Sequence, residues 1–146
     1  MKVETYLKQG QLLDQRINYK LKKLAELRNT ISDIHSPVIS KNRVQTSPTG
    51  DAPFVRALMR VEEMEEQINR EIDTLVDLRK QIQSVIDQVE REDFRMVLVY
   101  KYLENMSFDQ IAKLLHAAKA TIYHWHKKAI KQIVLPDEPI IARNIH

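Results

Sequence analysis

Polar and basic side chains recur near the C-terminal end of the chain at the spacing of one helix face. From Lys119 onward, apolar residues at spacings of three, four and four predict the buried stripe of a helix: Ile122, Trp125, Ala129 and Ile133. The opposite face carries cations and hydrogen-bonding groups, none of them acidic: Lys119, Thr121, Tyr123, His124, Lys127 and Lys128. The major groove of DNA accepts one α-helix, and such side chains bind phosphates and base edges. The pattern therefore favours DNA recognition.

Two shorter helices are predicted immediately before this one. The first runs from about Phe94 to Glu104 and is ended by the Asn105-Met106 break. The second begins at Ser107, because Ser107-Phe108-Asp109-Gln110 is a capping-box pattern. It is expected to bury Ile111, Ala112, Leu114 and Leu115, and a tight turn at 116–118 leads into the third helix. Together the three segments predict a helix-turn-helix, and a solvated basic face on a small helical bundle is the alternative interpretation.

Several short residue groups occur in a recognisable order along residues 95–133: Tyr102-Leu103, Ser107-Phe108, Ile111-Ala112, Leu115, Thr121-Ile122 and Lys128-Ala129-Ile130. In this order they resemble region 4 of bacterial sigma factors and the related helix-turn-helix of phage transcription regulators. The resemblance implies that Lys119, Ala120, Tyr123 and His124 face bases. It also implies that Ser107, Lys127 and Lys128 contact phosphates.

Two positions depart from the pattern that this resemblance supplies. Ala118 stands where a serine or threonine usually caps the recognition helix, and losing such a cap typically costs about 1 kcal/mol. Ala120 replaces a polar residue, so base recognition would rest on fewer side chains.

The composition is that of a helical protein with an uneven charge distribution. The 146 residues include only two glycines and no cysteine, which disfavours sheets and excludes disulfides and cysteine-based zinc fingers. Residues 54–93 carry six basic and eleven acidic side chains, whereas residues 94–133 carry seven basic and two acidic ones. A DNA partner would therefore meet the C-terminal segment. Without a membrane-length apolar run or a signal-peptide core, we expect an intracellular protein. The resemblance to phage regulators implies that it is cytoplasmic in a bacterial host cell.

The N-terminal part is predicted to form a long antiparallel helical hairpin, similar to a coiled coil. Its first helix spans about Val3 to Ile34, with this apolar stripe widened by Leu7 and Leu21: Tyr6, Leu13, Ile17, Leu24, Leu27 and Ile31. Residues 35–53 contain three prolines and are predicted to be a linker. The second helix spans about Phe54 to Arg91, with this seam: Val61, Ile68, Ile72, Leu75, Ile82, Ile86 and Val89.

These elements predict an all-α protein in three parts: a hairpin at 1–93, a helix-turn-helix at 94–135 and a tail at 136–146. Two prolines keep the tail from being helical throughout, and Ile140 and Ile141 are left either docked or free. A hairpin alone leaves Val55, Val76 and Val85 partly uncovered, so we expect a homodimer, for example as a four-helix bundle.

The whole arrangement resembles small phage and prophage proteins of Gram-positive hosts, related to late transcription activators of the RinA and ArpU type. The resemblance implies a regulator that binds double-stranded DNA, activates late genes and uses its hairpin for dimer spacing or for contact with RNA polymerase. Two alternatives stay open. A phage terminase small subunit also joins a helix-turn-helix to an oligomerising hairpin, and a helical interaction module would not bind DNA.

Other chemistry has little support in the sequence. The acidic cluster at Glu62, Glu63, Glu65 and Glu66 has no histidine on its helix, and His124 and His126 diverge by about 200°. No glycine-rich phosphate loop, nucleophile elbow or cysteine nucleophile is present. We therefore expect neither an enzyme nor a bound metal or cofactor.

Overall fold

The computed structural model describes residues 1–34 and 48–142. Within these ranges the regular structure is helical and contains no strand, which confirms the predicted all-α class. The described residues form five α-helices: α1 Val3–Ile34, α2 Pro48–Asp87, α3 Glu92–Leu98, α4 Phe108–Leu114 and α5 Lys119–Gln132. A π-helical segment, Val99–Leu103, continues α3. Among the helices of the described residues, none is both long and apolar enough to cross a membrane.

The chain divides into two compact units. The terminal unit comprises Met1–Asp14 and Thr74–His146, and the middle unit comprises Gln15–Asp73. This division differs from the boundary placed at residue 93 by the sequence. The first turns of α1 and the last turns of α2 pack with the C-terminal helices. The C-terminal helices α3, α4 and α5 therefore do not form a compact unit by themselves.

In the middle unit, α1 and α2 run antiparallel. Arg28 pairs with Glu65, whereas Lys20, earlier on α1, pairs with the later Glu71 at 2.7 Å. The apolar seam between the helices buries Ile17 and Leu24 of α1 against Val61 and Ile68 of α2. This confirms most of the predicted stripe.

The seam is narrower than the sequence predicted. Leu21 is 43% exposed and Ile72 is 37% exposed, although both were expected to be covered. Among the described residues of this unit, α1 and α2 have only each other to pack against, so the apolar residues at the flanks of the seam are exposed.

Helix α2 begins and ends earlier than predicted. It starts at Pro48, not Phe54, because proline is accommodated at the first helical position, where its missing N–H would have no partner. It ends at Asp87, not Arg91, and Arg95 of α3 donates hydrogen bonds to the carbonyls of Val89 and Glu90, which follow the end of the helix. The rest of the predicted linker, residues 35–47, lies outside the described residues.

The π-helical segment replaces the last turns of the helix predicted to reach Glu104. Side chains from elsewhere in the terminal unit bind its carbonyls: Gln11 donates to Lys101 O at 2.7 Å and Arg79 to Leu103 O at 2.8 Å. Asn105 then takes up a left-handed conformation, with φ of 56°, and ends the helix. The break predicted at Asn105 is therefore confirmed.

The segment after α5 is docked by two glutamine side chains. Gln9, which is 1% exposed, donates to Ile140 O at 3.0 Å and accepts from Ala142 N at 2.9 Å. Gln81 donates to Glu138 O at 3.1 Å and accepts from Ile140 N at 2.9 Å. The described part of the tail contains no helix, in agreement with the prediction that its prolines keep it from being helical throughout. Its backbone is hydrogen-bonded to both glutamines, while the Ile141 side chain is exposed.

Candidate nucleic-acid interface

Helix α4 begins with the capping box that the sequence predicted. Gln110 N donates to Ser107 Oγ at 3.2 Å, and Ser107 N donates to Gln110 Oε1 at 2.9 Å. These two bonds satisfy backbone donors that a helix start otherwise leaves open. The capped helix buries Ile111 and Ala112 in a core that also contains Val97 and Ile122.

The turn between α4 and α5 is a Schellman motif. Ala117 N donates to Ala112 O at 3.0 Å, and His116 N donates to Lys113 O at 3.4 Å. His116 takes the left-handed position of the motif with φ of 53°. The prediction for Leu114 is wrong: its side chain is 46% exposed. Ile111, Ala112 and the half-buried Leu115 already fill the side of this short helix that packs against its neighbours.

The rotation predicted for α5 is confirmed. Ile122, Ala129 and Ile133 are buried, and Trp125 is half-buried against the same core. The Arg91 guanidinium lies over the Trp125 ring, with its carbon 5.9 Å from the ring centroid. Ala118 is the N-cap residue and makes no side-chain capping bond, as its type predicted.

The outward face of α5 forms a continuous ridge of exposed side chains, which we call the basic ridge: Ala120, Tyr123, His124, Lys127, Lys128 and Lys131. Five of these six residues were predicted from the sequence. Ser107 and Lys119 are also exposed, whereas Thr121 is half-buried at the side of the helix. Lys131 was missed, although its place four residues after Lys127 and seven after His124 put it on the same face.

Lys119 has a partner within the protein. Its Nζ lies 3.0 Å from the Asp109 carboxylate at the start of α4, and the hydrogen bond to Asp109 raises the pKa of Lys119. Both side chains are at least half exposed, so the pair is screened by solvent and contributes little to stability. The nearby Asp109 carboxylate nevertheless compensates the positive charge of Lys119. Lys119 is therefore the least effective of the predicted cations for attracting an anion.

One side of the basic ridge rests on an aromatic cluster that sequence analysis did not find. The Phe108 ring lies 4.5 Å from the Tyr123 ring and 5.1 Å from the His126 ring, measured between centroids. The Tyr102 hydroxyl and His126 Nε2 are joined by a hydrogen bond of 2.7 Å. Burial raises the pKa of Tyr102 and lowers that of His126. The cluster fixes Tyr123, whose exposed edge belongs to the ridge.

The two histidines of α5 diverge as their spacing predicted. His124 is exposed on the ridge, whereas His126 is half-buried in the aromatic cluster. Across residues 1–34 and 48–142, no three histidine, aspartate or glutamate side chains are grouped closely enough to hold a metal ion.

The geometry provides an exposed cationic helix on a firmly packed support. Three lysines of the basic ridge follow one another over about one turn, and Tyr123 and His124 add hydrogen-bonding groups next to them. Because α5 packs against both α3 and α4 through its opposite face, the ridge projects from the unit as a rigid surface. Such a surface can bind a polyanion through its phosphates and present polar groups to base edges.

Comparison with known proteins places the chain in a family without assigning it a role. No curated protein and no solved structure matches it. Residues 33–134 match the model of one family. The matched range includes α2, the capped helix α4 and the whole basic ridge. With more than half of its length matched, the chain belongs to the family described as "Protein of unknown function (DUF1492)".

Proposed function

We propose that the protein binds double-stranded DNA and that α5 enters the major groove. The observation that carries the proposal is the basic ridge itself, which is exposed along its length on the helix that follows a capped helix and a Schellman turn. This order of elements is that of a helix-turn-helix, in which the second helix meets base edges while the first lies across the phosphate backbone.

The residues divide by position along α5. Ala120, Tyr123 and His124 belong to its N-terminal half and would meet base edges, while Lys127, Lys128 and Lys131 would bind phosphates. Ser107 is exposed at the start of α4, and its oxygen accepts from Gln110 N. Its hydroxyl hydrogen can still donate to a phosphate oxygen. Thr121, at the side of the helix, and Lys119, paired with Asp109, would contribute less.

We further propose a transcriptional role, the activation of late genes of a phage or prophage in a bacterial cytoplasm. Its support is the resemblance of residues 95–133 to sigma region 4 and to phage regulators with the same motif. In this role DNA binding would bring the rest of the chain next to RNA polymerase at a promoter.

A second copy of the chain is the partner that the middle unit favours. Its flanks expose large apolar side chains on both helices: Tyr19, Leu21, Val55, Leu58, Met59 and Ile72. Residues 15–34 carry five basic and two acidic side chains, whereas residues 54–73 carry three basic and six acidic ones. In a twofold dimer, α1 of each copy could therefore face α2 of the other, covering the apolar flanks with opposite charges.

The decisive experiment reverses charge on the ridge. Fluorescence anisotropy with a labelled random duplex at low salt measures binding of the wild type and of Lys127→Glu with Lys128→Glu. We expect the wild type to bind and the variant to lose affinity by at least 100-fold at unchanged helicity. In the wild type, the logarithm of the binding constant should fall linearly with the logarithm of salt concentration.

The matched control places the same charge change elsewhere. Lys22→Glu with Lys80→Glu alters two exposed lysines outside α5 and should retain most of the affinity. Equal loss in both variants would show that net charge, not the ridge, governs binding. A wild type that binds no duplex would favour a helical interaction module, and a ring-sized oligomer in light scattering would favour a terminase small subunit.

A further inference from the structure

A groove runs along one side of the basic ridge in the terminal unit. Its volume is about 520 Å³ and its walls come from α5 and the first turn of α1: Glu4, Tyr123, His126, Lys127, Ile130 and Lys131. Lys127 and Lys131 lie four residues apart on α5, so both ammonium groups reach the same wall. The apolar face of Ile130 and the rings of Tyr123 and His126 complete the α5 side of the groove.

Two lysines outside the lining of this groove carry charges that act on His126. Burial is the main cause that lowers the pKa of His126, Lys101 of the π-helical segment and Lys8 of α1 lower it further by their positive charges, and Glu4 raises it. Lys101 also lies over the Phe108 ring, with Nζ 4.5 Å from its centroid. Lys127 and Lys131 line the groove together with a single carboxylate, Glu4, and Lys8 stands four residues after Glu4 on the same side of α1.

We propose that this groove binds a phosphodiester of the DNA strand that flanks the site occupied by α5, so that α1 takes part in the DNA interface. The inference rests on the proposed function and extends it beyond the helix-turn-helix. A phosphate in the groove would be bound by Lys127 and Lys131 from α5 and by Lys8 from α1. The groove is open to solvent, so a strand can approach it from outside the unit.

Glu4 and Lys8 have opposite predicted effects. They stand four residues apart on α1, so both belong to the side of the helix that borders the groove. Lys8 would attract the strand and Glu4 would repel it. The pair therefore gives a test in which two neutralising substitutions on one helix change affinity in opposite directions.

The test measures duplex affinity and its salt dependence for the full chain with Glu4→Gln, Lys8→Gln and Lys131→Gln. We expect Glu4→Gln to tighten binding several-fold, on the order of 2- to 10-fold. Lys8→Gln and Lys131→Gln should each weaken binding by a similar factor. Each should also reduce the slope of the salt dependence by about one, the contribution of one phosphate contact.

The controls are neutralising substitutions in the same unit that lie away from the groove. Lys80→Gln and Glu90→Gln each neutralise one exposed charged side chain, as the groove variants do. Both should leave affinity within twofold of the wild type. The inference is overturned if Glu4→Gln and Lys8→Gln match these controls while reversal of Lys127 and Lys128 still abolishes binding, because Lys131 already belongs to the basic ridge. That result would leave the proposed function standing, whereas a wild type without affinity for any duplex would overturn both.

Discussion

The Gln9 side-chain amide bonds to the backbones of both Ile140 and Ala142, which lie 131 and 133 positions further along the chain. Gln9 also donates to Tyr6 O at 3.2 Å, so both amide hydrogens and the carbonyl oxygen are used. A nearly fully buried amide requires this complete set of partners, because an unpaired buried polar group is costly. Gln9 thus attaches the segment that follows α5 to the first turns of α1.

Gln9→Ala should destabilise the protein by about 2–3 kcal/mol, because it removes these bonds and leaves Ile140 O and Ala142 N without them. Urea unfolding followed by circular dichroism measures the loss. Gln15→Ala, on the exposed side of the same helix, is the control and should change stability by less than about 0.5 kcal/mol. Similar values for the two variants would mean that the tail does not dock in solution.

Truncating a side chain on the inner face of α5 should destabilise the protein more, the more deeply that side chain is buried. Ile122 is completely buried, so Ile122→Ala should cost about 3–4 kcal/mol, within the range for large core deletions. Trp125 is only half-buried, so Trp125→Ala should cost less than a fully buried tryptophan, about 2 kcal/mol. Thermal or chemical unfolding of both variants checks this order. A neutral Ile122→Ala would contradict the assigned rotation of α5.

The starts of α4 and α5 predict opposite effects of capping substitutions. Ser107→Ala removes a capping box and should destabilise by about 1 kcal/mol, whereas Ala118→Ser supplies a missing cap and should stabilise by about 1 kcal/mol. The midpoints of urea unfolding at constant slope provide the measurement. If Ala118→Ser proves destabilising, the start of α5 has been placed incorrectly.

His126 should make stability depend on pH. Burial lowers its pKa in the folded protein below the usual 6.5, an effect that Lys101 and Lys8 reinforce and Glu4 opposes. As pH falls below 6.5, the unfolded chain binds the proton before the folded protein does. The stabilisation present above pH 6.5 is therefore lost between 6.5 and the lower folded-state pKa.

We expect His126→Gln to lose less stability than the wild type between about pH 7.5 and pH 5. Urea unfolding at both pH values tests this difference. Because both proteins carry the same carboxylates, the contribution of those groups cancels in the comparison. His124→Gln is the control, because His124 lies on the exposed ridge, and it should keep the wild-type dependence. Identical profiles for all three proteins would show that His126 is not buried as the structure places it.

The sequence by itself determined the features that lie within one helix or one turn. The bounds of α1, the capping box at Ser107, the missing cap at Ala118 and the rotation of α5 all follow from residues three or four positions apart. Such patterns can be predicted because helix geometry fixes which neighbours share a face and which backbone donors remain open. Lys131 belonged to the same pattern and could have been found in the same way.

The tertiary structure alone decided what depends on contacts between distant segments. Gln9 is one of many polar residues on α1, and nothing in its neighbourhood in the sequence marks it as the partner of the tail. Arg95 bonds to a carbonyl just after the end of α2, and the π-helical segment bonds to Gln11 and Arg79. The groove beside α5 exists because the first turn of α1 lies there. Local periodicity specifies which face of a helix is apolar, whereas packing selects the element that covers it.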